Sequence, residues 1–122
     1  MNQDRPNSAD NTRDVGSTEV IITQLRLLGM STLCAECYCY LQENGSTTVN
    51  ELAANLHRQR TNVYPALNWL EERGFVVSIK TTLGPTYYSA VYIEDALHAL
   101  GEYQRQLVIG IIRDQRARRP LK

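Results

Sequence analysis

The chain has 122 residues, of which 43% are apolar and 21% are charged, a composition typical of one compact folded domain and not of a disordered protein. Lys and Arg number 13, as do Asp and Glu, so the net charge is zero; this excludes a uniformly basic coat for nucleic acid but not a local basic patch. No apolar run approaches the roughly 20 residues of a membrane span, and no secretory signal is recognisable, so we expect neither a membrane protein nor a secreted one.

The chain begins with a polar segment. Residues 1–17 contain almost no apolar side chains, so burial cannot offset the entropy cost of ordering them, and we expect a disordered arm. Ser17 or Thr18 is of the type that caps a helix, and we expect this first helix to end at Gly29.

Three cysteines lie close together in the predicted second helix, which follows Ser31: Cys34, Cys37 and Cys39. This odd number at short spacing suits a reducing cytoplasm better than a disulfide scaffold. The spacings match none of the usual zinc frameworks, so we expect no metal site and no cofactor. Buried thiols commonly act as small apolar side chains, and we favour that interpretation. A redox switch formed by Cys34 and Cys37 stays open as an alternative, because a helix start lowers the pKa of a thiol.

A helix-turn-helix pattern follows. Thr48 and Glu51 have the spacing of a capping box, which opens a short third helix. The polar residues 57–59 form a joint, and apolar spacing then predicts a fourth helix over residues 60–73 that Gly74 ends. The stripe predicted to be buried on this helix is Val63, Ala66, Leu67 and Leu70. A short helix, a tight turn and a second helix make up a helix-turn-helix unit.

A β-hairpin is predicted next, over residues 75–92. Its strands are residues 75–80 and 86–92, joined by a loop that contains Gly84-Pro85. Alternation of apolar residues predicts which side chains point inward. They are Phe75, Val77 and Ile79 on the first strand, and Tyr88, Ala90 and Tyr92 on the second.

The last predicted helix covers residues 94–115, with Glu94 and Asp95 favourably placed in its first turn. Its roughly 22 residues would extend about 33 Å, more than the preceding domain can cover. We therefore expect part of its apolar stripe to form a symmetric dimer interface. The predicted dimer residues are Leu97, Leu100, Tyr103, Leu107, Val108 and Ile111. Residues 116–122 form a basic tail.

The sequence thus predicts a mostly α-helical fold with a small β-hairpin. Residues 18–93 would form a winged helix-turn-helix domain, in which the hairpin is the wing. Residues 94–115 would form a long C-terminal dimerisation helix.

Four segments stand out by their order and spacing: Leu28-Gly29-Met30-Ser31, Glu51-Leu52-Ala53, Val63-Tyr64-x-x-Leu67-x-x-Leu70-Glu71-Glu72-x-Gly74-Phe75-Val76, and Tyr88-x-Ala90-Val91 with Glu94-Asp95-Ala96-Leu97. Together they resemble the winged helix-turn-helix domain of the TrmB family of transcriptional regulators, over about residues 25 to 100. The run Val63-Tyr64-Pro65-Ala66-Leu67 also resembles the PadR family. Both resemblances imply a homodimer that binds double-stranded DNA, with the fourth helix in the major groove and the wing along the backbone.

The sequence departs from these families in two ways. The wing tip has the sequence Thr81-Thr82-Leu83-Gly84-Pro85, where such domains often carry Arg or Lys. Ser89 occupies a position where a basic residue is common. Lys80 is then the main charge of the wing. Larger TrmB proteins also carry a C-terminal sugar-sensing region, for which there is no room after Ile112, so we do not expect a sugar ligand to carry over.

The polar face of the fourth helix carries the candidate DNA contacts. Arg can bind guanine, Asn and Gln can bind adenine, and the Thr methyl group can contact thymine. The alternative interpretation is an ordinary solvated helix face. Pro65 on this face requires that the helix start near Thr61 or kink. The predicted DNA-binding residues are Arg58, Gln59, Arg60, Thr61, Asn62, Pro65 and Asn68, with Lys80 and Tyr87 from the wing.

These observations predict a sequence-specific, dimeric DNA-binding transcriptional regulator. No paired carboxylates, nucleophile elbow or phosphate-binding glycine loop is present in the sequence, so we do not expect an enzyme. Two alternatives remain open. One is a winged-helix module that binds a protein and not DNA, and the other is a regulator that senses redox state through its thiols.

Overall fold

The computed structural model describes residues 18–118, which form five helices and one three-stranded sheet. The predicted arm, the cap at Ser17 and the last four residues of the predicted tail lie outside this range. Helix α1 covers residues 18–27. The other elements are α2 (Thr32–Asn44), β1 (Thr47–Thr48), α3 (Val49–Leu56), α4 (Arg60–Glu72), β2 (Val76–Ile79), β3 (Tyr87–Ala90) and α5 (Ile93–Arg118).

Polar side chains begin two of the helices as predicted. The Ser31 hydroxyl accepts a hydrogen bond from the Cys34 amide at 3.1 Å and so caps α2. The Thr48 hydroxyl accepts from the Glu51 amide at 3.2 Å at the start of α3. The Glu51 carboxylate accepts from the hydroxyl of Thr47. The first two bonds each satisfy an amide that a helix start would leave unpaired. The Glu51 carboxylate bonds the Thr47 hydroxyl instead of the Thr48 amide that the predicted capping box would use.

Helix α4 ends in a Schellman turn at Gly74. This glycine has a φ of +86°, and its amide donates to Glu71 O at 3.2 Å while the Phe75 amide donates to Leu70 O at 2.9 Å. An added Cβ at Gly74 would lie 2.8 Å from the Cβ of Ala99 on α5. Glycine is therefore required here twice, for the left-handed backbone and for the close approach of α5.

The sheet has the strand order β1-β3-β2, and both strand pairs are antiparallel. The hairpin of β2 and β3 confirms the predicted wing. Strand β1 pairs Thr47 with Tyr88 and Thr48 with Tyr87. Its two residues were not predicted as a strand, because so short a segment shows no alternation.

The predicted inward face of the first wing strand is wrong by one residue. Val76 is buried, whereas Val77 and Ile79 are about half exposed, at 47% and 50%. Phe75 is fully buried but belongs to the turn after α4, so alternation starts one residue later than predicted. A shift of one residue exchanges the two faces of a strand.

The second wing strand follows its prediction only in part. Tyr88 is buried and Ala90 packs against the core, as predicted. Tyr92 is 71% exposed, and the prediction for it is wrong because β3 ends at Ala90, before the alternation reaches it.

The centre of the core joins α2 to the wing. Tyr38 and Phe75 pack edge to face with ring centroids 5.4 Å apart. The Tyr38 hydroxyl donates to Val91 O at 2.6 Å, and the Val91 amide donates to Phe75 O at 2.8 Å. Burial raises the pKa of Tyr38 to about 12, which keeps this hydroxyl a donor at neutral pH. The wing is thus anchored to the helices by both packing and hydrogen bonds.

Candidate nucleic-acid interface

A tight turn links the two helices of the helix-turn-helix unit, α3 and α4. His57 adopts a left-handed conformation with a φ of 56°, and its amide donates to Ala54 O at 3.3 Å. The Arg58 amide donates to Ala53 O at 2.9 Å. This turn ends α3 abruptly and allows α4 to begin at Arg60, as the polar joint predicted.

One face of α4 is exposed, and the opposite face is buried. The stripe of Val63, Ala66, Leu67 and Leu70 is buried in the core, as predicted. The predicted DNA-binding residues of this helix and of the turn before it are all exposed. They are Arg58, Gln59, Arg60, Thr61, Asn62, Pro65 and Asn68. The structure thus brings these side chains together on one accessible surface, which we call the α4 surface.

Pro65 lies within α4, which runs without a break from Arg60 to Glu72. Proline has no amide hydrogen, so the carbonyl of Thr61 lacks its helical donor. The helix starts at Arg60, one residue from the predicted start near Thr61. Because Pro65 is exposed, water or a ligand can reach that carbonyl.

Two arginines of the α4 surface are held by neighbouring helices. Arg58 Nη2 donates to Glu36 Oε1 of α2 at 2.9 Å, and both side chains remain partly exposed. Arg60 Nη1 donates to Asn50 Oδ1 of α3 at 3.0 Å. The second contact orients Arg60 without neutralising it, whereas the first places a negative charge beside Arg58.

We expect the substitution Glu36→Gln to strengthen DNA binding by about fivefold at low salt, the effect of an exposed ion pair of about 1 kcal/mol. Arg58 must leave the Glu36 carboxylate to contact a phosphate, and that carboxylate also repels the DNA. The difference should shrink as salt rises. Fluorescence anisotropy with a labelled duplex measures it. Glu102→Gln, which removes the partner of Arg105 on α5, is the matched control, and equal or weaker binding by the Glu36 variant would contradict the prediction.

The wing lies beside the α4 surface. Lys80 and Tyr87, the two predicted wing contacts, are exposed. A cleft of about 180 Å³ separates the wing from the helices. Its lining includes Asn50, the partner of Arg60, together with Thr48, Val49, Tyr64, Pro85, Thr86 and Tyr88.

Tyr64 is a candidate that the sequence analysis did not include. Its ring is 46% exposed and lines the cleft between α4 and the wing. Tyr64 follows Arg60 by four residues, and this spacing places both on one helix face. That spacing was the signal that could have identified it.

A stacked cluster joins α4 to α5. The Arg73 guanidinium lies 4.1 Å from the ring centroid of Trp69 and 4.8 Å from that of Tyr103. Arg73 Nη2 also donates to the Tyr103 hydroxyl at 3.1 Å. Cation–π contacts of this kind stabilise a fixed geometry. Tyr103, predicted as a dimer residue, therefore also ties α5 to the end of α4.

Helix α5 is longer than predicted and only its beginning lies in the core. It continues past residue 115 to Arg118, the last residue that the structure describes. Leu100 is 5% exposed and packs in the core of its own chain, so it is not available for the predicted dimer surface. The other predicted dimer residues are 38–52% exposed: Leu97, Tyr103, Leu107, Val108 and Ile111.

An apolar groove continues this surface towards α1. Its volume is about 520 Å³. Leu97 belongs both to the groove and to the exposed stripe of α5. The remaining lining residues are Ile21, Gln24, Leu25, Leu28, Gln42 and Ile93.

The three cysteines are buried and free. The Cys34 thiol donates to Ala66 O at 3.6 Å. Burial, with a smaller contribution from Cys34, raises the pKa of Cys37 to about 12, and burial likewise raises that of Cys39 to about 11. These surroundings favour the packing interpretation over a redox switch. Among residues 18–118, no group of three or more His, Cys, Asp or Glu side chains could hold a metal ion.

We expect the thiols of Cys37 and Cys39 in the native protein to resist iodoacetamide at pH 8. A pKa of about 12 leaves only about one Cys37 in ten thousand as the reactive thiolate. All three cysteines should react once urea unfolds the chain. Mass spectrometry of the modified peptides measures this, with free cysteine in the same solution as the control. Labelling of native Cys37 at the rate of free cysteine would contradict the prediction.

A family model described as the sugar-specific transcriptional regulator TrmB matches residues 25–94. The chain belongs to the TrmB family. The predicted resemblance is therefore confirmed, and the chain is a winged-helix member of a family of DNA-binding transcriptional regulators. A comparison with curated protein sequences gave no match.

Solved structures support the fold of this TrmB-family chain. TrmBL2, an archaeal chromatin protein whose structure shows a novel mode of DNA binding, superposes with a TM-score of 0.63 at 20% identity, over 83% of this chain. The present chain spans only 39% of TrmBL2. The transcriptional regulator Tm0710 from Thermotoga maritima gives a TM-score of 0.57 at 15% identity, over 90% of this chain and 80% of that one.

A MarR-family transcriptional regulator from Silicibacter pomeroyi gives a TM-score of 0.54 at 12% identity, over 91% of this chain and 88% of that one. These likenesses confirm the predicted fold class, a winged helix-turn-helix domain with a long C-terminal helix. None of the helices in the described part of the TrmB-family chain combines the length and apolar character that crossing a membrane requires.

Proposed function

We propose that this TrmB-family protein is a sequence-specific regulator that binds double-stranded DNA as a homodimer in the cytoplasm. Helix α4 would enter the major groove, and the wing would lie along the backbone. The observation that carries the proposal is the α4 surface, an exposed set of base-reading side chains on a helix whose opposite face is fixed in the core.

The chemistry of the α4 surface supports base reading. Asn62 and Asn68 can each form two hydrogen bonds with adenine, and Arg60 can form two with guanine. The contact from Arg60 to Asn50 supports this role, because an oriented side chain loses less entropy when it binds. The exposed Thr61 can place its methyl group against thymine.

Contacts with phosphate would come from the start of α4 and from the wing. The amides of Arg60 and Thr61 precede the first hydrogen bond within the helix, which leaves them free to bind an anion. Arg58, in the turn before α4, and Lys80, directly after β2 in the wing, are exposed cations. Few cations are involved, so the salt dependence of binding should be modest for a protein of this class.

The homodimer is supported by the exposed apolar surface of α5. This helix has 26 residues and is therefore about 39 Å long. Beyond Leu100 it is exposed over nearly its whole length, including an apolar run at residues 107–112. Exposed apolar area of this extent marks an interaction surface. A second copy would also present a second α4 to the next turn of the DNA, as two-fold symmetric operators require.

Alanine substitutions on α4 test the proposal. We expect Arg60→Ala and Asn62→Ala each to weaken binding to fragments selected from genomic DNA by about 1–3 kcal/mol, and to relax the preference for one base. Arg105→Ala on α5 is the control, because it removes an arginine whose contact is with Glu102. Fluorescence anisotropy gives the dissociation constants.

If Arg58→Ala, Arg60→Ala and Asn62→Ala all leave the affinity unchanged, α4 does not read DNA and the proposal is wrong. A wild-type protein that binds no genomic fragment even at low salt would instead support a module that binds a protein partner.

A further inference from the structure

The tip of the wing presents a single large apolar side chain. Leu83 is the middle residue of the loop 80–86 between β2 and β3. Its side chain is 98% exposed, more than any other large apolar side chain in the part of the chain that the structure describes. Covering this side chain with a partner would remove its apolar surface from water, which is favourable.

The loop that carries Leu83 is closed by its own contacts. The Thr81 hydroxyl donates to Pro85 O at 3.1 Å across the loop. A Cβ at Gly84 would lie 2.7 Å from the Thr81 hydroxyl oxygen, so only glycine permits this closure. Proline at position 85 fixes one further backbone angle. The backbone that carries Leu83 is therefore held at the tip in advance, and little backbone entropy is lost when the side chain binds.

The wing tip lies on the same side of the molecule as the α4 surface. Pro85 and Thr86 line the cleft that Tyr64 and Asn50 close from the other side. Asn50 in turn holds Arg60. A duplex bound along α4 would therefore also meet the wing.

The wing carries little charge, and this limits the kind of contact that it can make with DNA. Lys80 is the only charged residue between positions 75 and 92, so the wing can release few counterions from phosphates. It also has no carboxylate that DNA would repel. In addition to the single charge of Lys80, the wing can therefore add affinity through burial of apolar surface.

We propose that Leu83 inserts into the minor groove next to the α4 site and acts as an apolar wedge that opens a base step and bends the duplex. The proposal rests on the proposed function. Apolar side chains on minor-groove proteins act in this way, and the groove, about 6 Å wide, admits a side chain at the tip of a two-stranded ribbon. A protein partner would require about 800 Å² of matching surface, which one projecting side chain does not offer.

The test compares Leu83→Ala with wild type on a doubly labelled duplex of about 30 base pairs containing TA steps, which are the easiest to kink. We expect the affinity to fall about tenfold, the value of one buried leucine side chain. The Förster energy transfer between the two ends of the duplex, which reports the bend, should also fall. The slope of affinity against salt should stay the same, because no phosphate contact is lost.

Three further variants sharpen the test. Leu83→Met keeps the apolar volume and should keep the bend. Lys80→Ala should lower the salt slope by about 1 and leave the bend intact. Leu27→Ala removes another exposed leucine, on α1, and should change neither quantity. Thermal melting checks that every variant is folded.

The outcomes separate the wedge from the wider function. If Leu83→Ala binds and bends DNA like wild type while Arg60→Ala loses affinity, the wedge is overturned and the function of α4 stands. If the wild-type protein binds no duplex at low salt, both are overturned. Reduced bending and affinity in Leu83→Ala with an unchanged salt slope would support the wedge.

Discussion

In the proposed homodimer, the double substitution Leu107→Glu/Ile111→Glu is expected to prevent dimer formation and to weaken binding to a two-fold symmetric operator by at least about a hundredfold. Leu107 and Ile111 are 51% and 52% exposed in the single chain and lie one helical turn apart on α5. Two buried carboxylates on each chain would oppose association strongly. Without its partner, each chain reaches one half-site only, and the gain from binding two sites at once is lost.

Sedimentation equilibrium and DNA titration of the double variant Leu107→Glu/Ile111→Glu measure these two effects. Arg105→Glu is the matched control, since it changes the net charge of α5 by the same amount and leaves the apolar residues of the stripe in place. A double variant that remains dimeric would show that the stripe around Leu107 is not the interface.

The substitution Phe75→Ala is expected to cost about 3–5 kcal/mol of unfolding free energy, a large part of the 5–15 kcal/mol of a typical domain. Phe75 is fully buried, packs edge to face against Tyr38 and accepts a hydrogen bond from Val91. Its removal leaves a cavity where α2, α4 and the wing meet. Urea unfolding followed by circular dichroism measures the loss.

Two neighbouring positions provide the control. Val76→Ala should be clearly destabilising because Val76 is buried, whereas Val77→Ala should stay within about 0.5 kcal/mol of wild type because Val77 is exposed. If Val77→Ala costs as much as Val76→Ala, the observed register of the wing is contradicted.

Local signals in the sequence predicted the helix-turn-helix unit well. The caps at Ser31 and Thr48, the stripe of α4 and the stop at Gly74 each depend on residues close together in the chain. Short-range hydrogen bonds and helical spacing determine such features, so they can be read without knowing the tertiary contacts.

Features set by distant contacts could not be predicted in the same way. Strand β1 exists because Thr47 and Thr48 meet Tyr88 and Tyr87, about 40 positions later. Leu100 is buried in the core because α5 crosses the end of α4, whereas Leu97 is exposed. The apolar spacing along α5 includes both residues and so did not predict which of them is buried. The prediction of which face of β2 is buried depended on whether Phe75 belongs to the turn after α4 or to the strand.

The sequence predicted which residues are candidate DNA contacts, but it did not predict the side chains that these residues contact within the protein. The exposure of residues 58–62 follows from the stripe on the other side of α4. The pairing of Arg58 with Glu36 joins the turn before α4 to helix α2, and only the packing of α2 on α4 brings them together. Sequence spacing therefore predicted the exposed α4 surface, whereas the carboxylate beside Arg58 could be found only from the fold.

The near-contact between Gly74 and Ala99 has a mechanical consequence. Because Gly74 has no side chain, the backbone at the end of α4 packs directly against α5. Nearby, Arg73 contacts both helices through Trp69 and Tyr103. In the proposed dimer, a tilt of α5 would therefore also move α4, because the two helices are in direct contact. The distance between the two reading helices of a dimer, and hence the operator spacing it tolerates, would be governed by the crossing of the paired α5 helices.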